Sequence, residues 1–187
     1  MNKLTLTSIL MILILVFAAS PSSATTYSFG DSNYWVVQAS GMNWDSAKVL
    51  AEAAGGHLAT ITSAAENTYV QQNVLGSRSG EYWLGGFQTS DPGGAAPAAN
   101  WEWVTGEAWS FTDWQPTEPN NYLGRDEMHL GIWSRNDWKW NDEGYLNNIT
   151  GFVVEQSVMP PVPIPATLWL LSSALTGLVL VKRYAYN

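Results

Sequence analysis

The chain has 187 residues, a formal net charge of −8, eleven tryptophans and no cysteine. Residues 25–158 hold all sixteen Asp and Glu but only five basic residues, Lys48, Arg78, Arg125, Arg135 and Lys139, which leaves −11 in that stretch. Such a surface repels phosphate backbones and argues against nucleic acid as a partner, and the missing cysteines remove disulfides, zinc–thiolate sites and thiol nucleophiles.

The N-terminus carries Lys3, an apolar run from Ile9 to Ala19, and small residues at Ser22, Ser23 and Ala24. A basic start, a short apolar stretch and a small-residue site have the form of a secretory signal, and the run is too short to span a bilayer comfortably. Residues 1–24 therefore read as a signal peptide cut after Ala24, with Ala19 as the alternative cut and a membrane anchor as the alternative role.

Residues 25–158 follow as one domain, long enough to bury its own core. Tyr34–Val37 reads as a short strand. Asn43 or Asp45 caps a helix that runs to about Ala54 and stops at Gly55-Gly56, with Ala47, Leu50, Ala51 and Ala54 on one face. Leu58–Ile61 reads as a strand. Ser63 and Glu66 have capping-box spacing and open a second helix carrying Tyr69, Val70 and Val74 to about Leu75. Short aromatic strands are expected at Tyr82–Gly86, Trp101–Trp103, Met128–Ile132, Trp138–Trp140 and Gly151–Glu155, with a Gly/Ala/Pro loop over residues 90–99. Two helices followed by many short strands give an α+β class.

At the C-terminus, Met159-Pro-Pro-Val-Pro-Ile-Pro165 is an extended spacer, followed by an apolar run from Ala166 to Val181 and by Lys182-Arg183. The run is just short of the roughly 20 residues of a full span, and the Lys-Arg pair belongs on the cytoplasmic side. Read physically, this is an anchor with the domain outside. The motif Val162-Pro163-Ile164-Pro165, the apolar run and the basic end also resemble the bacterial PEP-CTERM sorting signal, with Ile164 where Glu is usual. That resemblance implies an exosortase-type protease that removes the tail over residues 159–187. Membrane contact would be made only through the tail before processing, with delivery to the cell envelope or outside.

Four landmarks lie in order in the middle of the chain: Trp44-x-x-Ala47 with Gly55-Gly56-His57-Leu58, Trp83-Leu84-Gly85-Gly86, Glu118-Pro119-Asn120, and Trp140-Asn141-Asp142. Together they resemble the C-type lectin-like domain over residues 27–156. The resemblance implies two helices with short antiparallel strands and a long calcium- and ligand-binding loop region. The family's framework cysteines fall on Ala51, Val154, Met128 and Tyr145, and its disulfide pairing maps to Ala51 with Val154 and Met128 with Tyr145. A disulfide typically contributes about 2–4 kcal/mol, and burial of apolar side chains offsets part of that loss.

Between Glu118 and Asp142 the chain is dense in carboxylates and amides, the hard oxygen donors that calcium takes. The resemblance implies a principal calcium held by Glu118, Asn120, Asp126, Asn141 and Asp142. Asp126 stands where Glu is usual and reaches one methylene less. The resemblance also implies a cis peptide before Pro119 and binding of vicinal hydroxyls of mannose-type sugars (mannose, glucose, N-acetylglucosamine or fucose) by the ion, Glu118 and Asn120. Positions of the auxiliary calcium site fall on Gly94, Ala98 and Asn121, leaving Asp126 and Glu127, so no second site is expected there. Without the ion, Glu-Pro-Asn is an ordinary turn tripeptide.

Trp133, Trp138 and Trp140 are expected in the core, with stacking on a sugar as the alternative. His57 reads as a packed or capping residue and His129 as a surface-strand residue. No Gly-x-Ser-x-Gly or triad pattern appears, and acids grouped with amides at ligand spacing do not suggest a glycosidase pair. The expected function is an exported, calcium-dependent, non-enzymatic lectin for mannose-type sugars or exopolysaccharide. The alternative is a module of the same fold that binds a protein or matrix partner at the cell envelope and no sugar.

Overall fold

The computed structural model describes residues 25–90, 98–122 and 127–158. The signal-peptide and sorting-tail readings, most of the 90–99 loop, and Asp126 fall outside these residues. Strands β1 (Tyr27–Phe29) and β2 (Ser32–Gln38) form a hairpin ahead of helix α1 (Trp44–Ala53) and strand β3 (His57–Leu58). Helix α2 (Ala64–Tyr69) runs on into a π-helical turn, Val70–Leu75. Strands β4 (Glu81–Gln88), β5 (Trp101–Trp103), β6 (His129–Trp133), β7 (Lys139–Glu143) and β8 (Ile149–Ser157) complete the domain. The sheet order is β1-β2-β8-β4-β6-β7, with β3 on β8 and β5 on β4.

The strands pair antiparallel, as expected, except for one parallel pair. β8 runs antiparallel to β2 and β3 but parallel to β4. This last strand ties the N-terminal hairpin to the strands that carry the site.

Asn43 caps α1, its Oδ1 accepting the Ser46 N–H at 2.8 Å. The buried seam is Trp44, Ala47 and Ala51, whereas Leu50 is 45% exposed and Ala54 is exposed, contrary to the predicted face. Two alanines let α1 lie close against Phe152 and Val154, and Leu50 is left on the flank. Gly56 makes the turn into β3 possible: a Cβ there would sit 2.4 Å from the Glu155 carbonyl oxygen. The second helix begins at Ser63, whose Oγ accepts the Glu66 N–H at 3.2 Å. The reciprocal half of the expected capping box is absent. Glu66 instead accepts the Thr62 N–H at 2.8 Å and the Tyr34 hydroxyl at 2.6 Å, so its carboxylate joins the helix to β2.

Tryptophans fill much of the larger core cluster. Trp101, Trp103 and Trp140 are buried, with Trp109 and Trp114 packed on them, and Trp103 meets Trp140 edge-on at 5.7 Å. Aromatic rings of this size bury large areas and favour such tilted contacts. The Trp140 indole N–H donates to Asn67 Oδ1 at 3.1 Å, which fixes β7 against α2. Trp140 is core as expected, but Trp133 and Trp138 are only half-buried. Ala51 and Val154, the first predicted substitute for a disulfide, are fully buried in one cluster. Met128 and Tyr145, the second, are each half-buried.

Candidate functional site

Strand register determines which side chains meet. Gly131 pairs with Asn141 and His129 with Glu143 across β6 and β7, while Trp83 pairs with Gly131 across β4 and β6. Alternation along a strand then places Glu81, Gly131, Asn141 and Glu143 on one face, and Trp140 and Asp142 on the other. Because Gly131 has no side chain, the Glu81 carboxylate can cross its Cα. A Cβ at that position would lie 2.4 Å from Glu81 Oε1. Glu81 Oε1 accepts Nδ2 of Asn141 at 3.0 Å. This bond commits the amino end of the Asn141 amide to the sheet and leaves its carbonyl oxygen as the part available to a ligand. Glu81 is fully buried. Burial, then the neighbouring charge of Glu143, holds its carboxyl well above the usual carboxylate range.

Asp142 organises the facing loop. Its carboxylate accepts the Asn120 N–H at 3.0 and 2.9 Å and the Asn121 N–H at 2.8 Å. Glu127 closes the same loop, accepting the Tyr122 N–H at 2.5 Å, and its own N–H donates to Asn121 Oδ1 at 3.2 Å. The peptide between Glu118 and Pro119 is cis, as the resemblance implied. Four of the five predicted ligands therefore come together: Glu118, Asn120 and Asn141 on the wall of one groove, and Asp142 buried beneath the loop. The fifth, Asp126, lies outside the described residues.

Around Glu118 the carboxylates of the groove crowd one another. The Glu118 carboxyl is pushed up to about 8, first by burial, then by the hydrogen bond and charge of Asp142 and by the charge of Glu127, while Asn120 pulls the other way. Two adjacent carboxylates call for a proton or a cation between them. Glu118 Oε2 and Asn120 Oδ1 are buried and have no hydrogen-bond partner. A buried polar atom left unsatisfied costs about 1–3 kcal/mol, and a hard cation is the partner that such oxygens fit. Among the described residues no group of three acids or histidines forms a metal cluster by itself. The oxygens on offer are those of two carboxylates and two amides.

Two acids of the site, Glu81 and Glu143, belong to no motif of the sequence, although a glycine inside a strand is a signal that something passes close to it. Glu127, expected at the auxiliary position, lies on the groove wall. His129 is also more than a surface-strand residue: it stacks on Trp44 at 4.6 Å and meets Trp83 edge-on at 6.1 Å.

Comparison with known proteins identifies the fold. The model of the lectin C-type domain family matches residues 40–148. An alpha-N-acetylgalactosamine-specific lectin of Patiria pectinifera is 30% identical over 129 residues, which cover 65% of this chain and 73% of that protein. Ladderlectin of Oncorhynchus mykiss is 28% identical over 135 residues, covering 71% of this chain and 66% of that protein. Among solved structures, a calcium-independent type II antifreeze protein superposes with a TM-score of 0.56 at 25% identity, covering 72% of this chain and 92% of its own.

Proposed function

We propose, because this chain belongs to the C-type lectin domain family, that it is a calcium-dependent sugar-binding module with a preference for mannose-type sugars. The observation that carries the reading is the pair of buried, unpartnered oxygens, Glu118 Oε2 and Asn120 Oδ1, beside the Asp142 carboxylate. A calcium ion would be held by Glu118, Asn120, Asn141 and Asp142, with Asp126 as the further acid. When bound, it supplies a Lewis-acidic centre that takes sugar hydroxyls as ligands. Around it, Glu118 accepts hydrogen bonds from hydroxyls and the Asn120 amide donates and accepts. Asp142 holds the loop through its backbone N–H groups, and Glu81 sets the amide of Asn141. Each of these roles is positional; none moves a proton or forms a bond, so the reading is a binding module and not an enzyme.

The mannose-type preference rests on Glu118 and Asn120, the Glu-Pro-Asn pattern of the resemblance. Export, and a sorting tail handled by an exosortase-type protease, belong to the proposal on the sequences of residues 1–24 and 159–187. No helix among the described residues is long and apolar enough to cross a membrane. A glycan array run in calcium and again with EDTA tests the reading. Binding to mannose-type glycans that disappears with EDTA is expected, and Glu118→Gln combined with Asn120→Asp should abolish it. A second reading, a protein- or matrix-binding module that needs no calcium, draws on the likeness to the calcium-independent antifreeze protein. It predicts that the double substitution leaves the partner bound.

A further inference from the structure

The two halves of the candidate ligand set hang from one backbone bridge. β7 ends the sheet order, and residues 113–115 run along its outer edge, where Trp114 forms an isolated parallel bridge with Trp140. The Trp140 N–H donates to the Asp113 carbonyl at 2.9 Å, and the Gln115 N–H donates to the Trp140 carbonyl at 2.9 Å. Asn141 and Asp142 follow Trp140 directly. On the other side, the Glu118 N–H closes a turn on the Gln115 carbonyl at 2.9 Å, so the Glu118–Asn120 loop starts from the same bridge.

The Asp113 side chain holds this bridge against the second helix. Its Oδ2 accepts Nδ2 of Asn67 at 2.7 Å and Nε2 of Gln71 at 3.0 Å, and its Oδ1 accepts Nζ of Lys139 at 2.5 Å. A carboxylate has acceptor sites enough for all of these donors, and the Lys139 bond is charge-assisted, about twice as strong as a neutral one. Asn67 is buried and uses both ends of its amide, Nδ2 on Asp113 and Oδ1 on the Trp140 indole N–H. It therefore grips both sides of the bridge at once. Gln71 lies in the π-helical turn Val70–Leu75, and its Nε2 also donates to the Trp138 carbonyl at 2.9 Å. Short π-helical stretches often sit where function needs a side chain re-aimed. None of these residues belongs to the ligand set.

We propose that Asp113, gripped by Asn67, Gln71 and Lys139, is a positioning residue for the candidate calcium site, fixing where the Glu118–Asn120 loop stands relative to Asn141 and Asp142. The inference rests on the calcium reading above for its purpose, though not for its geometry. Carboxylates and amides from two separate segments reach one ion only if the spacing between the segments is set beforehand, and this clasp sets it from behind the site.

The first measurement needs no calcium. In EDTA, amide hydrogen exchange followed by NMR compares the parent protein with Asp113→Ala and Asp113→Asn. The Asn120 and Asn121 N–H groups, which donate to Asp142, should exchange faster in Asp113→Ala, by a larger factor than the amides of the β2–β8 pair. Asp113→Asn retains an oxygen for Asn67 and Gln71 and should keep most of the protection. Calorimetric titration with calcium, at a temperature where each variant is folded, should show Asp113→Ala weakened about tenfold, the lower end of what loss of an outer partner costs a metal site. Asp113→Asn should restore most of that affinity. A uniform change across loop and β2–β8 amides, or a calcium affinity equal to the parent's, would overturn the inference and leave Asp113 a contributor to stability alone. Should Asp113→Ala fail to fold, Gln71→Ala removes one donor and is judged by the same two outcomes. If the parent protein itself binds no calcium, the lectin reading falls, while the exchange comparison still decides whether Asp113 anchors the loop.

Discussion

Asn141 and Glu81 are joined by a 3.0 Å hydrogen bond that passes over the bare Cα of Gly131. The bare position on β6 thus determines how an amide on the neighbouring strand presents itself to the groove. Gly131→Ala puts a methyl group where the Glu81 carboxylate lies, and overpacking of this kind costs about 1–3 kcal/mol. Urea unfolding should show that loss. Calcium affinity should fall with it, since Asn141 loses the acceptor that orients its amide. Glu81→Gln retains an acceptor oxygen and should keep calcium affinity close to that of the parent protein.

Asp142 is predicted to hold the Glu118–Asn121 loop in place. Asp142→Ala removes the acceptor for the Asn120 and Asn121 N–H groups, and one buried donor left unsatisfied costs about 1–3 kcal/mol. Asp142→Asn keeps one oxygen and should cost less. Urea titration of the two variants gives the order, and both should lose calcium binding.

His129 supplies a pH dependence of known sign. Burial between aromatic rings pulls its pKa below the ordinary value of 6.5, and the nearby Asp45 charge offsets this only in part. A base with a depressed folded-state pKa contributes stability that is fully present above its unfolded pKa and is lost as pH falls through the folded value. Melting temperature should therefore drop as the medium is acidified below about 6.5. His129→Phe, which keeps the stack on Trp44, should flatten that part of the profile relative to the parent.

The cysteine-free core can be tested by restoring a link. Ala51 and Val154 are both fully buried in the same cluster, and the family resemblance pairs their positions. Ala51→Cys with Val154→Cys should form a disulfide under oxidising conditions and raise stability by about 2–4 kcal/mol over the reduced form, read by melting with and without reductant.

Local signals explain what the sequence made legible. Asn43 and Ser63 cap their helices because side-chain oxygens serve the free N–H groups at helix starts; Ser63 is legible from its spacing to Glu66, whereas residue type leaves Asn43 and Asp45 as equal candidates and the fold selects Asn43. The order of the aromatic strands and the grouping of Glu118, Asn120, Asn141 and Asp142 are legible as well. What stayed hidden depends on register between distant strands. The parallel β4–β8 pair, the passage of Glu81 over Gly131, and the exposure of Leu50 follow from how elements pack, and no periodicity within one element reports that. Trp133 and Trp140 are both tryptophans near the site, yet only the fold sends one into the core and the other to the groove.

Calcium binding is the point on which the rest depends, and calorimetric titration of the protein with calcium, paired with thermal melts in calcium and in EDTA, tests it most directly. Saturable binding at one site with a raised melting temperature is expected, since an ion that binds only the folded state stabilises it. No heat of binding and an unchanged melting temperature at millimolar calcium would contradict the account and leave Glu118-Pro119-Asn120 as a turn.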